Sequence, residues 1–114
     1  MPVNPGYKAF IEELLAPIAT ITTRSMFGGV GIYGDGLFFA LIANEQLYFK
    51  VDDTNRPDFE AAGMAPFAPF DDGRTMAYWA VPADVLEDAD ALAIWTKKAM
   101  DVAQRAKKGK KRKK

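Results

Sequence analysis

Residues 29 to 34 read Gly29-Val30-Gly31-Ile32-Tyr33-Gly34, the glycine spacing that in dinucleotide-binding proteins lets a backbone approach a pyrophosphate. That chemistry needs a strand before the glycines and a helix after them. Here the following residues, LFFALIA, read as a second strand with no crossover helix. A kinase-type glycine loop does lie between strands, with Lys50 in the lysine role, but the chain is too short for that fold and lacks H-R-D and D-F-G elements. The adjacent acids Asp52-Asp53 and Asp71-Asp72 could hold a hard cation or act as an acid and base in a carboxylate pocket. Each pair also sits where a turn or helix cap accounts for it. Ser25 is the single serine; without a histidine or a G-x-S-x-G elbow, only a pairing with Lys50 would make it a nucleophile.

Composition narrows the field further. The chain has no cysteine and no histidine, which removes disulfides, thiolate chemistry and imidazole ligands together. A transition-metal site would have to be built from carboxylates, an improbable donor set for zinc or copper. These absences disfavour much enzyme chemistry at once, and no catalytic, cofactor-binding or metal-ligating residue is singled out. The N-terminus lacks a leader pattern, and the longest apolar run, Leu37 to Ala43, is far too short to span a bilayer. A cytoplasmic location without membrane attachment is expected.

Two surfaces remain. Arg24, Tyr33, Tyr48 and Lys50 can share a polar, aromatic strand face suited to stacking a base or gripping an acidic partner; the same residue types also make the ordinary outer side of a sheet. The second is the C-terminus. Residues 105 to 114 carry Arg105, Lys107, Lys108, Lys110, Lys111, Arg112, Lys113 and Lys114 and no acid, whereas residues 1 to 104 hold seven basic against fifteen acidic residues. Such a tail attracts polyanions through counterion release but reads no base sequence. It is expected to contact nucleic acid nonspecifically, or to dock on the acidic body.

At 114 residues the chain suits one domain, over residues 1 to 104, with residues 105 to 114 a disordered basic tail in which order is lost near Gly109. Asn4-Pro5 marks a helix start, and Tyr7, Phe10, Ile11, Leu14, Leu15 and Ile18 recur on one stripe until Pro17. Ile21 to Tyr33 reads as one strand, bent or packed upon at Gly28, Gly29 and Gly31. Gly34-Asp35-Gly36 supplies the positive φ angles of a tight hairpin, and Asn44-Glu45-Gln46 turns the next pair. Leu37 to Ala43 is apolar on both parities, and Leu47 to Val51 alternates. Asp52, Asp53 and Thr54 are candidate caps for a short helix closing at Gly63. Met64 to Phe70, broken by two prolines, is an edge strand or extended loop, and Thr75 to Val81 a further strand stopped by Pro82. Asp84 can cap one turn, and Asp88 a last helix with Leu92, Trp95, Ala99, Val102, Ala103 and Ala106 inward. This is an α+β, two-layer, mainly antiparallel sheet of about five strands in the order α-βββ-α-ββ-α, with helices packed on it.

These residues resemble a known family. Met26-Phe27-Gly28-Gly29-Val30-Gly31, Phe39-Ala40-Leu41-Ile42, Leu47-Tyr48-Phe49-Lys50, Gly63 with Pro66-Phe67, Tyr78 with Pro82, and the Leu86, Leu92, Trp95, Ala99 pattern are similar, in order, to the N-terminal domain of the TfoX/Sxy proteins, bacterial competence regulators. The resemblance implies a two-layer α+β domain without catalytic residues and, as in the named members, a transcription coactivator whose partner is the cyclic-AMP receptor protein. Two-domain members continue into a helical C-terminal domain; this chain ends after its lysine-rich segment, so a stand-alone N-terminal domain is expected. The alternatives are a homodimeric adaptor, pairing through an exposed strand or the glycine-rich hairpin, and a small-molecule or metal-dependent enzyme.

Overall fold

The computed structural model describes residues 5–26, 29–43, 45–67 and 77–112. Helix α1 (Pro5–Leu15) is followed by strands β1 (Ile21–Met26), β2 (Gly29–Gly34), β3 (Leu37–Ala43) and β4 (Gln46–Lys50), then α2 (Arg56–Ala61), β5 (Tyr78–Ala80), α3 (Ala83–Leu86) and α4 (Ala89–Arg112). The five strands form one antiparallel sheet in sequence order. The expected α+β class and antiparallel sheet are found, but their strands are partitioned differently. The single strand expected over Ile21 to Tyr33 is two, paired from Met26 opposite Gly29 to Ile21 opposite Gly34. The chain reverses between 26 and 29 rather than bending there. Alternation alone does not distinguish a bent strand from a hairpin with a short connection.

The next reversal has the geometry expected for its residues. Asp35 and Gly36 take φ of 51° and 85°, the two positive angles of a twist-matched hairpin turn. Asp35 also exchanges bonds with the loop after α1: its amide donates to the Thr20 carbonyl (2.9 Å), and its carboxylate accepts from the Thr20 amide (3.0 Å). A register shift between Ile32 and Tyr33 opposite Phe38 and Ala40 leaves Phe39 as the extra residue of a bulge. Phe39 and Ala40 consequently both belong to the core.

That core lies between the sheet and the helices. Ile11 and Leu15 of α1, Val30, Ile32, Ile42, Leu47 and Phe49 of the sheet, Phe59 of α2, and Leu92 and Ala99 of α4 are buried in one cluster. Phe59 meets Trp95 edge-on with centroids 4.6 Å apart, an arrangement favoured by the ring quadrupoles. Tyr7 fixes the other end of α1, its hydroxyl accepting from the Leu47 amide (3.1 Å). Thr96 is fully buried in α4 with no bonded partner for its hydroxyl among the described residues.

Helix ends follow local chemistry closely. The Asp88 carboxylate accepts from the amides of Asp90 and Ala91 (both 3.1 Å), capping α4 as expected. After α2, Gly63 at φ 75° donates to Glu60 while Met64 donates to Phe59, the paired bonds of a left-handed glycine stop. The start of α2 differs from expectation: its N-cap is Asn55, not Asp52, Asp53 or Thr54. Similarly, α3 is preceded by Pro82, with Asp84 inside its first turn. Helix α4 runs on to Arg112, past Gly109, where loss of order is expected from sequence. Lysine and arginine are good helix formers, and cations at a helix C-terminus are favoured by its dipole. Of the proline-rich stretch, residues 65–67 lie beside β5, bridging at Pro66 opposite Trp79. Residues 68–76, with Asp71, Asp72 and the start of the last expected strand, fall outside the described residues. No helix among the described residues is long and apolar enough to cross a membrane.

Candidate functional site

Side chains alternate across a strand, and residues directly opposite each other in an antiparallel pair share a face. Val30, Ile32, Ile42, Leu47 and Phe49 point to the helices, so their neighbours form the other face. Following the register, Arg24 lies opposite Gly31, Gly31 opposite Leu41, Leu41 opposite Tyr48, and Tyr48 opposite Ala80. This is one continuous row across all five strands. The next row begins Thr22, Tyr33, Phe38 and ends with Lys50 opposite Tyr78.

All four residues expected to form a partner surface therefore lie on the same sheet face, in two adjacent rows. Arg24 and Tyr48 stand three strands apart, about 14 Å at the usual interstrand spacing. The aromatic rings between and beside them are in contact. Tyr33 stacks on Phe38 at 5.0 Å, Phe38 meets Tyr78 at 5.7 Å, and Tyr48 meets Phe67 at 4.6 Å. The Lys50 ammonium sits 4.9 Å above the Tyr78 ring, within range of a cation–π attraction. Arg24 is exposed, while Tyr33, Phe38, Tyr48 and Lys50 are partly buried.

Sequence reasoning missed Phe38, Leu41, Phe67 and Tyr78 as parts of this face. Leu37 to Ala43, apolar on both parities, is buried on both: Phe39, Ala40 and Ile42 lie in the core, and Leu41 is buried among the side chains of the outer face. The signal was present in the period-two spacing of Tyr78 with Ala80 and of Tyr48 with Lys50, but the pairing that unites them was not.

The face also has a protonation signature. Burial, together with the charge of Tyr33 when ionised, pushes the Tyr78 phenol up to about 12 from 10.0, and burial also raises Tyr48. Folding thus favours the neutral Tyr78. Its contribution to stability is complete below pH 10 and is lost as pH rises through about 12, at no more than about 1.4 kcal/mol per pH unit for one proton. Chemical denaturation at stepped alkaline pH should show this loss, and Tyr78→Phe should reduce it, leaving the smaller share of Tyr48 and Tyr7, which burial also raises; an unchanged slope would exclude Tyr78 as a source.

The remaining candidates are placed as follows. Gly29 to Gly34 form β2 and lead by a hairpin into β3, so no helix N-terminus faces the glycines. Ser25 lies opposite Val30 on the helix-facing side of β1, whereas Lys50 lies on the other face three strands away; no Ser-Lys pair is formed. Asp52 accepts from the Thr54 hydroxyl (2.6 Å) and amide (2.9 Å) and from Arg105 (3.2 Å). Burial raises its pKa, but those hydrogen bonds and the Arg105 charge outweigh it and hold the carboxyl below its ordinary value. Asp53 pairs with Arg56. Among the described residues no three acidic side chains gather as a cation site. A cleft of about 590 Å³ lies between the end of α1 and the β2–β3 turn; its two carboxylates, Glu12 and Asp35, are bonded to Lys8 and Thr20.

Arg105 separates from the other tail cations. Its guanidinium reaches Asp52 and the Thr54 hydroxyl (2.7 Å), tying α4 to the β4–α2 junction. Lys107 is exposed, the side chains of Lys108, Lys110, Lys111 and Arg112 are outside the described set, and Lys113 and Lys114 lie outside the described residues.

Comparison with known proteins adds two findings. The family model of the TfoX N-terminal domain matches residues 13–103, from the last turn of α1 to Ala103 of α4, a buried residue of the core cluster; the basic end lies outside the match. No curated protein matches the sequence.

Proposed function

The chain belongs to the TfoX N-terminal domain family, and from that membership we propose that it is a non-enzymatic regulatory domain working by protein contact. Its role is that of a transcription coactivator, with a regulator of the cyclic-AMP receptor protein type as partner. The supporting observation is the sheet face on which Arg24, Tyr33, Tyr48 and Lys50 converge with Phe38 and Tyr78. Arginine and tyrosine are the residues in which interface energy concentrates, and here they stand on a rigid strand frame. The basic end of α4 adds sequence-independent affinity for the nucleic acid on which such a regulator works.

Two measurements test the reading. In titration calorimetry against a purified regulator of this type, Arg24→Ala and Tyr48→Ala should each weaken binding by about tenfold or more, as for interface residues, Arg24→Ala at unchanged melting temperature and Tyr48→Ala, which loses its contact with Phe67, at a lower one but still folded. Wild-type affinity in both variants would remove this face from the interface. In gel retardation at low salt, the full chain should shift duplex DNA and a chain ended after Ala106 should not. That truncation keeps the Arg105–Asp52 contact, so equal retardation by the two would withdraw the basic segment from the proposal.

A further inference from the structure

The two edges of the sheet are unlike. Beyond β5, residues 65–67 already occupy the edge: the Ala80 amide donates to Ala65 (3.2 Å) and the Phe67 amide to Tyr78 (2.7 Å), with Pro66 between them. The opposite edge is β1, six residues long, without proline or a register shift against β2, two of the devices by which edge strands avoid pairing with other chains; its single charge is the exposed Arg24.

The unused hydrogen-bonding groups of β1 can be assigned. Antiparallel partners alternate between pairs that exchange bonds and pairs that do not. Thr20 and Asp35 are joined through the Asp35 amide, so Thr22 with Tyr33 and Arg24 with Gly31 are the bonded pairs that follow in the same register. Ile21, Thr23 and Ser25 therefore direct their amides and carbonyls away from β2. Among the described residues, no other backbone group bonds to them.

We propose that β1 is a homodimer interface: β1 of a second copy adds antiparallel across a two-fold axis at Thr23, extending the sheet to ten strands. This register is self-complementary. Thr23 faces its own copy and Ile21 faces Ser25, so all three outward-directed residues exchange bonds, and each opposite pair shares a face, as pleating demands. Thr22 then lies opposite Arg24. A two-fold at Arg24 would instead set guanidinium against guanidinium and leave Ile21 unpaired. Isoleucine and threonine favour strand conformation. The dimer carries two Arg24-to-Tyr48 rows on one continuous face.

Sedimentation velocity on the full chain across the micromolar range tests this, with two variants. Thr23→Pro removes an amide that faces away from β2, a position where a strand tolerates proline; Thr23→Lys places like charges directly opposite across the axis. The expected result is a concentration-dependent dimer for the wild type. Thr23→Pro should remain monomeric with an unchanged circular dichroism spectrum, and Thr23→Lys should raise the dissociation constant about tenfold at low salt, recovering at high salt. A wild type that is monomeric throughout overturns the proposal. So does wild-type dimerisation of the folded proline variant or, if that variant does not fold, of the lysine variant at low salt.

Discussion

Replacing Asn55 by alanine is expected to cost the domain about 2–3 kcal/mol, the sum of two backbone partners left without their bonds. Asn55 is 1% exposed. Its carbonyl oxygen accepts from the Asp52 amide (2.9 Å) and its amide nitrogen donates to the Lys50 carbonyl (3.1 Å), so one side chain closes the turn between β4 and α2. Asp52 is in turn the residue that receives Arg105, and Lys50 ends the strand that presents Tyr48. The loss should therefore loosen the start of α2 and the anchoring of α4 together. By contrast, Arg105→Ala breaks a half-exposed ion pair worth at most about 1 kcal/mol. Urea denaturation monitored through Trp79 and Trp95 measures both. Asn55→Asp is the sharper control, because it retains the acceptor, removes the donor and buries a charge; stability equal to wild type in that variant would show that the Lys50 bond contributes nothing.

Gly34→Val should be damaging for a different reason, by about 1–3 kcal/mol as in other overpacked cores. A β-carbon at this position would stand 3.0 Å from Phe39 Cε1 and 3.2 Å from Met100 Cε. Met100 is flexible and can yield, but Phe39 is fully buried and packed on Phe49 at 5.6 Å. The position is thus a close approach between β2, the β3 bulge and α4. This distinguishes it from Gly36, which has open space around it and a φ of 85°. Asparagine separates the two cases, since it tolerates left-handed backbone better than other side chains. Gly36→Asn should melt close to wild type, whereas Gly34→Asn should melt well below it. If Gly34→Asn were as stable as wild type, the packing explanation would be wrong.

Several parts of the fold were legible because their causes are local. The Asp88 cap, the Gly63 stop, the positive φ at Asp35 and Gly36, and the inward stripe Leu92, Ala99, Val102, Ala103 each depend on a window of a few residues. The chemistry of capping, chirality and periodicity applies inside such a window whatever surrounds it. The candidate face was half legible on the same grounds: alternation placed Tyr48 with Lys50 and Tyr78 with Ala80. It did not say that Phe38 stacks on Tyr33 or that Tyr78 lies opposite Lys50, because those contacts depend on register. Asn55 escaped notice for a related reason. Three capping residues precede it, and only its burial between Lys50 and Asp52 makes it the one that closes the turn.

The glycine-rich stretch shows where the division falls. Composition and spacing determined, by themselves, that residues 29 to 34 would be a strand running into a tight hairpin, and that no phosphate-binding turn would form there. Tertiary structure alone decided that the preceding residues double back as β1, that Gly31 lies in a row between Arg24 and Leu41, and that Gly34 is required by Phe39 and Met100. The physical reason is that turn and strand preferences are energies of the local backbone, whereas pairing, register and close approach are energies of contact between residues that only the assembled sheet and helices bring together.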